Sequence, residues 1–417
     1  MRIGIDCRLW SESGVGRYTR NLVQNLAQID IKNEYVLFIL SKDQEKILHF
    51  VQNDSFRTVK ADIRWHSIEE QIRFPSILNQ EKLDLVHFPY FSVPIFYNKP
   101  FVVTIHDLIL HHFPTGEAST LPLSIYKLKL LGYKYVISQA AKKAKKIITV
   151  SNATKEEIID HLGVREDKIV VTYESVDDRL ISKLPTSPFD FAQGFGGASK
   201  IKNYFLYVGN AYPHKNLERL LQAFKIITQG ALVGNENFLV HDAKKLKGSS
   251  HTSKPASAHR ENFVPSPRPL TLVLVGKEDY FYKRLREIIK NMKLSDSVIF
   301  YGEASDEELI NLYQNAKALV MPSLMEGFGL PALEAMANSC LVLASNIPAL
   351  KEVCGDAAIY FSAYDINEIT EVMKSVCFND SNHFSQNIGR GIERSKMFSW
   401  KKMAKETVDI YESCVGI

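Results

Sequence analysis

The chain has 417 residues, of which 45% are hydrophobic and 24% charged. This length exceeds what a single hydrophobic core usually supports, so the sequence predicts two domains. Its five cysteines form no CxxC or Cys/His metal spacing, which argues against a disulfide framework or structural zinc and favours a reducing compartment. The net charge of +4 is too mild to indicate a partner, and we expect no nucleic acid. No signal-peptide start and no apolar run of roughly 18 residues is found, so a cytoplasmic protein is expected.

Short β-rich apolar runs alternate with helical stretches along the chain, which predicts parallel sheets covered by helices on both faces. The pattern runs twice, so the predicted fold is α/β with two doubly wound, Rossmann-like domains. The predicted strands are 2–6, 34–40, 84–88, 100–106, 145–151 and 168–173, then 204–209, 270–276, 297–302, 318–323, 340–345 and 357–361. The predicted helices are Gly16–Gln28, Thr154–Leu162, Leu217–Thr228, Tyr282–Met292, Asp306–Ala316 and Pro331–Ala337.

Composition places the boundaries of these domains. An N-terminal domain of residues 1–178 ends at a linker, 179–201, that is rich in proline, glycine and serine. The C-terminal domain is predicted to cover residues 202–395, with a disordered surface insertion at about 229–269, to which we assign no chemistry. Residues 396–417 are predicted to form a helix that packs back on the N-terminal domain.

A basic segment interrupts the first half. Residues 118–155 contain no Asp or Glu, and lysines with interspersed apolar residues predict a basic, apolar-faced helix over Lys127–Lys146. Such a helix can lie on an anionic membrane surface, here the inner face of the membrane. An ordinary packed helix with a solvated lysine face explains the composition equally well.

Two glycine-containing turns follow predicted strands. Gly14 and Gly16 precede a helix predicted to begin near Arg17, and their amides suit an anion, although any strand-to-helix turn favours glycine.

In the second half, a strand ends at Gly209 and Lys215 stands at the start of the next helix. A cation at a helix N-terminus is unfavourable unless an anion lies between them, and an exposed loop lysine is the alternative.

The stretch PSLMEGFGLPALEAMA, residues 322–337, joins a predicted strand to a helix in which Pro331 suits the first position. Glu334 then falls in the first helical turn and can accept hydrogen bonds from vicinal ribose hydroxyls, as acids do in dinucleotide folds. Glu326, on the loop, is expected to project toward whatever group is attached to the phosphates of such a nucleotide. The loop amides near the helix N-terminus are those of Gly327, Phe328, Gly329 and Leu330.

This stretch resembles the E-x7-E motif of the retaining GT-B glycosyltransferases of family four, whose two domains face each other across a cleft. The resemblance covers nearly the whole chain and extends to GIDCRLWSESGVGRYTRNL, DLVHFPYFSVP, PFVVTIHDLIL, IITVSNATKEEII, YVGNAYPHKNLERLLQAF and ASNIPALKEVCGDAAIYF. The variants HFPYF, TIHDL and GNAYPHKN are similar to those of bacterial enzymes that add mannose or a related sugar to surface polysaccharides.

The resemblance implies a role for each matching position. Glu326 contacts the donor hexose and supports positive charge at its anomeric carbon, and Glu334 binds the ribose. Lys215 neutralises the departing diphosphate. The amides of residues 327–330 and the loop at Gly209 and Asn210 bind the sugar and the diphosphate. Gly14, Gly16 and Arg17 lie close to the phosphate or the acceptor. His106 contacts the donor sugar.

Three departures from the family pattern concern the phosphates. Asn210 stands where many relatives carry arginine, which leaves Lys215 as the main cation or transfers part of its work to His214 or Arg17. The sequence ESVD replaces the usual NGVD at residues 174–177, and MANSC replaces MACGT.

The resemblance thus implies a retaining hexosyltransferase that takes mannose, with GDP-mannose as the preferred donor, to a glycan or lipid-linked glycan in cell-surface polysaccharide synthesis. The C-terminal domain takes the donor and the N-terminal domain the acceptor. No cofactor and no metal are expected. No Asp or Glu in the first-domain motifs is clearly free to act as a base; Asp107 lies beside His106 but is equally well interpreted as a helix cap. A nucleotide-sugar 2-epimerase and a non-catalytic sugar-nucleotide-binding protein remain as alternatives.

Overall fold

The computed structural model describes residues 1–12, 14–51, 54–114, 122–181, 201, 203–233, 269–378 and 381–416. Most of the predicted linker, at 182–200, and the predicted insertion from 234 to 268 lie outside the described residues. The described residues form two α/β units, each built on one parallel sheet. Within them, no helix combines the length and the apolar character that crossing a membrane requires.

The N-terminal unit contains a seven-stranded sheet in the order β3-β2-β1-β4-β5-β6-β7. Its strands are β1 Arg2–Asp6, β2 Glu34–Ile39, β3 Phe56–Lys60, β4 Leu85–Phe88, β5 Phe101–Ile105, β6 Lys146–Thr149 and β7 Ile169–Val171. Its helices are α1 Gly14–Ile29, α2 Gln44–Phe50, α3 Ile68–Gln80, α4 Ile109–His112, α5 Leu123–Lys143 and α6 Asn152–Leu162. Every residue of β4 and β5 is buried, as expected for strands that are covered on both faces.

The C-terminal unit contains a six-stranded sheet in the order β10-β9-β8-β11-β12-β13. Its strands are β8 Tyr204–Val208, β9 Thr271–Val275, β10 Val298–Gly302, β11 Ala318–Met321, β12 Val342–Ser345 and β13 Ile359–Phe361. The helices that follow β8 are α7 Leu217–Val233, α8 Tyr280–Asn291, α9 Asp306–Asn315, α10 Leu330–Ala337, α11 Pro348–Cys354, α12 Ile366–Phe378, α13 Ser385–Ser395 and α14 Trp400–Val415.

The strand order reverses between β1 and β4 in one sheet and between β8 and β11 in the other. Ligands of open α/β sheets bind outside the carboxyl ends of the strands at such switch points. The α1 N-terminus, His106, the turn at Lys215 and the loop before α10 all follow strands at or beside these points. The topology therefore gathers the predicted site residues at one edge of each sheet.

The two-domain α/β fold is confirmed, and the twelve predicted strands are present with ends shifted by a few residues. The sequence reasoning missed β3, an edge strand with the weakly apolar sequence FRTVK and no buried residue. Helix α7 continues to Val233, so the predicted start of the insertion near 229 was too early.

Helix α14 leaves the C-terminal unit and packs on α1 and β4 of the N-terminal unit. Its Tyr411 is fully buried, and the phenol oxygen lies 2.6 Å from Nδ1 of the buried His87 on β4. Trp400 and Tyr411 belong to the same hydrophobic cluster as Ile3 and Ile5 of β1. The end of the chain therefore completes the core beneath the first sheet.

Candidate active site

The loop between β11 and α10 carries most of the predicted site. Gly329 takes a positive φ of 100° before the helix begins at Leu330, and an added Cβ would lie 2.6 Å from Leu350 Cδ2. Both the backbone angle and the space require glycine there. Because the helix begins at Leu330, Pro331 is its second residue rather than the predicted first, and Glu334 lies in the second turn rather than the first. An N–H at position 331 would have no partner within the helix, because it lies in the first turn. Proline, which lacks this N–H, therefore costs no helical hydrogen bond there.

Lys215 and Glu326 form a partly buried ion pair at the centre of the site. Lys215 Nζ lies 2.7 Å from Oε1 and 2.8 Å from Oε2 of Glu326, and the Ser323 hydroxyl donates to Oε1 over 2.7 Å. The two charged side chains are 17% and 8% exposed. Burial raises the pKa of Glu326, but the charge and hydrogen bond of Lys215, with the Ser323 hydroxyl, hold it below its usual value. Glu326 is therefore ionised at neutral pH.

A short 3-10 turn, Pro213–Lys215, holds the lysine, so Lys215 precedes α7 rather than starting it. Asn216 follows in the left-handed conformation, and its side-chain amide donates to the carbonyls of Pro322 (2.9 Å) and Ala363 (2.7 Å). These bonds fix the turn against the loop that carries Glu326. Burial and the Lys215 charge lower the pKa of His214 to about 4, so His214 is neutral at pH 7 and adds no positive charge here.

His106 lies at the end of β5 with its ring buried in the N-terminal unit. Nε2 lies 2.9 Å from the carbonyl oxygen of Pro89, and Nδ1 lies 3.4 Å from Glu174 Oε1. Burial lowers the pKa of His106, but Glu174 and the Pro89 carbonyl outweigh burial and raise it above its usual value. Contact of this ring with a donor sugar stays a prediction; the recorded contact of His106 with the C-terminal unit is made by its backbone carbonyl, beside Gly327.

Gly327 seats the loop on the N-terminal unit. A Cβ at position 327 would collide with the carbonyl oxygen of His106. The Gly327 carbonyl accepts hydrogen bonds from the hydroxyls of Ser151 (2.6 Å) and Thr154 (3.3 Å), both at the start of α6. Bare backbone at 327 therefore allows the two units to meet at the carboxyl ends of their strands.

A second contact between the units was missed by the sequence reasoning. The Glu352 carboxylate of α11 accepts the N–H groups of Asn152 (2.7 Å) and Ala153 (2.9 Å), the first residues of α6, and the Tyr173 hydroxyl (2.9 Å). A carboxylate at a helix N-terminus satisfies free donors and is favoured by the helix dipole. Nothing in the local sequence indicates a partner two hundred residues away.

Glu334 and Arg17, which were predicted to bind different parts of the ligand, contact each other. Glu334 is 1% exposed; Oε1 accepts from the guanidinium of Arg17 on α1, and Oε2 accepts from the Tyr313 hydroxyl over 2.9 Å. Burial lowers the pKa of Arg17, but the charge and hydrogen bond of Glu334 outweigh burial and raise this pKa above its usual value. The guanidinium is therefore fully charged. Ribose binding by Glu334 remains a prediction, and it would have to compete with this ion pair.

The two glycines of α1 differ in their surroundings, and both lie in its first turn, because the helix begins at Gly14 and not near Arg17. A Cβ on Gly16 would lie 2.6 Å from the Trp10 carbonyl and 2.7 Å from the Leu9 carbonyl, so Gly16 allows close packing. A Cβ on Gly14 would meet nothing within 4 Å. Of these two glycines, Gly14 is the one with open space beside its Cα, which a ligand could occupy.

The remaining predicted residues contribute through backbone or packing. The Gly209 carbonyl accepts the Tyr282 hydroxyl over 2.7 Å, and the Asn210 side chain accepts the Tyr212 N–H over 3.3 Å within its own loop. Phe328 is buried, with ring contacts to Tyr173 and Phe398, so its side chain is structural.

Two further residues of this region have clear local roles. Asp107 Oδ1 accepts the N–H of Ile109, the first residue of α4, over 3.0 Å, but the N-cap position of this helix is Leu108, so Asp107 lies one residue before the predicted cap. Leu330 packs against the hydrophobic clusters of both units, so the first residue of α10 bridges the two cores.

Solved structures share this architecture over almost their full length. Sucrose-phosphate synthase from Thermosynechococcus elongatus matches with a TM-score of 0.70 at 17% identity, covering 99% of this chain and 98% of that one. Anabaena Alr3699/HepE in complex with UDP-glucose matches with a TM-score of 0.68 at 16% identity, covering 99% and 100%. Likeness at this identity shows the fold alone, and that fold is the GT-B arrangement of glycosyltransferases.

Two family models match the chain, "Glycosyltransferase Family 4" over residues 13–180 and "Glycosyl transferases group 1" over residues 235–390. Together the two matches cover most of the chain, which therefore belongs to the glycosyltransferases that these two models describe. Similar relatives are the O-antigen chain mannosyltransferase RfbU of Salmonella typhimurium, 25% identical over 79% of this chain and 74% of that protein, and O-antigen chain mannosyltransferase B of Escherichia coli, 25% identical over 96% of each.

The two glycines of α1 give a matched test of packing against ligand contact. We expect Gly16→Ala to lower the free energy of unfolding by about 1–3 kcal/mol, because the methyl group overpacks two carbonyls. Gly14→Ala should keep the stability or raise it by up to about 1 kcal/mol, since alanine favours helix. If Gly14 lies beside a ligand, Gly14→Ala should still lower the transfer rate. Equal loss of stability in both variants, measured by urea unfolding, would contradict this division.

Proposed function

We propose that the protein is a retaining hexosyltransferase that moves mannose from a nucleoside diphosphate sugar, GDP-mannose being the preferred donor, to a glycan or lipid-linked glycan acceptor in cell-surface polysaccharide synthesis. The partly buried Lys215–Glu326 pair near the junction of the two units carries this proposal. The mannose assignment rests on the relatives, which are named as O-antigen mannosyltransferases.

In this proposal, Lys215 is the cation of the diphosphate leaving group. Its ammonium is held beside Glu326 in a site with little exposure, where an electrostatic contact is stronger than in water. A bound diphosphate would place Lys215 between two anions. The amides at the α10 N-terminus would add donors to the same oxygens. Together they stabilise the negative charge that develops as the anomeric bond breaks.

Glu326 has the complementary role on the sugar. Because its pKa is held below the usual value, the carboxylate is charged throughout the neutral range. A fixed negative charge beside the anomeric carbon stabilises the oxocarbenium-like transition state of glycosyl transfer. Glu334 would bind the ribose hydroxyls, and donor binding would then release Arg17 from Glu334 and turn its guanidinium to the phosphates or the acceptor.

Retention is supported by how the nearby carboxylates are engaged. In the described part of the N-terminal unit, Asp107 accepts the Ile109 N–H and Glu174 lies against the His106 ring. One oxygen of each carboxylate thus already has a partner, which disfavours their use as the base that deprotonates an acceptor from the face opposite the leaving group. The leaving phosphate then acts as the base, and it lies on the face from which it departs.

The proposed function is tested by measuring nucleotide binding first and then turnover of the donor in the presence of an acceptor. Thermal unfolding with UDP, GDP, ADP and dTDP should show the largest stabilisation by GDP, because a ligand that binds only the native state raises its stability. Incubation with GDP-mannose and a polysaccharide acceptor should then release GDP. Turnover without acceptor would indicate a 2-epimerase, and binding without turnover would indicate a non-catalytic sugar-nucleotide-binding protein.

The two acids should have separable kinetic effects. We expect Glu326→Ala to lower mainly kcat, by about a hundredfold or more, because it removes a charge that acts at the transition state. Glu334→Ala should raise mainly the donor KM. Glu307→Ala on the exposed face of α9 is the control and should change neither. Steady-state kinetics over donor concentration reads both constants, and identical effects of the two site variants would contradict the assigned roles.

We also propose that the transfer is metal-independent, since Lys215 and the α10 amides take the diphosphate charge. Turnover in excess EDTA, assayed well below the unfolding temperature, should equal turnover in buffer. A requirement for added Mg²⁺ or Mn²⁺ would show that a metal ion replaces this role of Lys215.

Peripheral contact with an anionic membrane is the proposed use of α5. Four apolar side chains three or four residues apart are exposed on this helix: Ile125 (47%), Leu128 (71%), Leu131 (67%) and Tyr135 (56%). They share one helix face, and Lys127 and Lys134 flank them. Such a face inserts side chains into the interface while the lysines contact anionic headgroups.

Liposome co-sedimentation tests this contact. Binding should rise with the anionic lipid fraction and fall with salt, since each lysine near the surface contributes about 1 kcal/mol. The double variant Leu128→Ser/Leu131→Ser should lose binding, whereas Phe378→Ser, which removes an exposed apolar side chain on α12, should keep it. Equal binding to neutral vesicles, or no binding to either, would leave α5 as an ordinary helix with a solvated lysine face.

A further inference from the structure

Away from the Lys215–Glu326 pair, three potential metal ligands meet on the surface of the N-terminal unit. His112 is the last residue of α4, and Glu157 and His161 lie four residues apart on α6. This i, i+4 spacing places the second pair on one helix face. The three side chains form the His112–Glu157–His161 cluster, and each is between 31% and 38% exposed.

The geometry of the cluster is convergent. Nε2 of His112 and Nε2 of His161 both approach the same carboxylate oxygen, Glu157 Oε2, the second at 3.2 Å. One ligand atom from each residue lies within 4.8 Å of the others. Ligands around a tetrahedral zinc ion, with bonds of about 2.0–2.1 Å, are roughly 3.3 Å apart. Small rotations of half-exposed side chains therefore bring all three atoms to bonding distance.

We propose that His112, Glu157 and His161 bind a divalent transition-metal ion, with zinc as the best fit. Two imidazoles and one carboxylate are a donor set that zinc accepts, and a water molecule would complete four-coordination. Imidazole nitrogen disfavours Mg²⁺ and Ca²⁺, which take oxygen ligands.

A metal ion here would connect two segments that border the active site. The α4 ligand is six residues after His106, and the α6 ligands belong to the helix whose first turn contacts Gly327 and Glu352. The ion would thus hold α4 against α6 without touching Lys215 or Glu326. Its expected effect is on stability, and the proposal is independent of the transfer chemistry.

Zinc uptake by the full chain tests the proposal. Protein stripped with a chelator and desalted is titrated with ZnCl₂ against a chromogenic zinc chelator. We expect one tightly bound zinc ion per chain and a rise in the unfolding temperature. Co²⁺ in place of zinc should give the intense visible absorption of a four-coordinate site.

Single variants locate the site. His112→Ala and His161→Ala should each weaken zinc binding by more than the roughly tenfold that loss of an outer hydrogen-bond partner costs. His49→Ala, which removes an exposed histidine on α2, should bind zinc as the unmodified chain does. Glu157→Gln keeps the shape of the side chain and removes its charge, and should also weaken binding.

Circular dichroism checks that each variant is folded. Absence of zinc uptake by the unmodified chain would overturn the proposal. So would uptake that is unchanged in the double variant His112→Ala/His161→Ala, or a Co²⁺ spectrum that lacks four-coordinate bands. In those cases the three side chains form only a hydrogen-bonded surface cluster.

Discussion

A side chain at position 327 would collide with the His106 carbonyl, so the loop between β11 and α10 can reach the N-terminal unit only as bare backbone. The Gly327 carbonyl accepts hydrogen bonds from the Ser151 and Thr154 hydroxyls, and Gly329, at a φ of 100°, precedes the start of α10 at Leu330. Glu326 directly precedes Gly327, and the Asn216 bond to the Pro322 carbonyl holds the turn that carries Lys215 against the same loop. The site is therefore assembled by the approach of two backbones more than by any one side chain.

Three acids of the C-terminal unit show how charge is balanced at this junction. Glu326 is paired with Lys215 of its own unit, whereas Glu334 takes Arg17 and Glu352 takes the α6 N-terminus from the other unit. Buried carboxylates without such partners would cost several kcal/mol each. Separation of the units would therefore leave Glu334 without its cationic partner, which links the donor site to the arrangement of the two units.

The sequence predicted the fold because its strands are rich in valine, isoleucine and leucine and recur with a constant spacing. It also singled out Lys215 and Glu326, whose contexts are a strand end and a glycine-rich helix start, and the fold pairs these two side chains; their roles stay predictions. It failed where the outcome depends on distant groups. Neither the α6 cap by Glu352 nor the Arg17–Glu334 pair has a local signal, and the packing role of Gly16 comes from carbonyls of the preceding loop.

Errors at element ends have local causes. Helix α1 starts at Gly14 because glycine is tolerated in a first turn, although its propensity is low. The edge strand β3 lacks buried residues and hence an apolar pattern. The His112–Glu157–His161 cluster has only half a signal in sequence, the i, i+4 pair on α6, because His112 reaches it through the tertiary fold.

In the proposed mechanism the leaving phosphate takes the acceptor proton on its own face, because Asp107 and Glu174, acids of the described N-terminal unit near the junction, each already have a partner. The anomeric configuration of the product tests this claim most directly. With an α-linked nucleoside diphosphate mannose as donor, the one-bond carbon–hydrogen coupling at the new anomeric carbon, measured by NMR, should be that of an α-linkage. A coupling characteristic of a β-linkage would contradict the mechanism and would assign the base to a carboxylate such as Asp107 or Glu174.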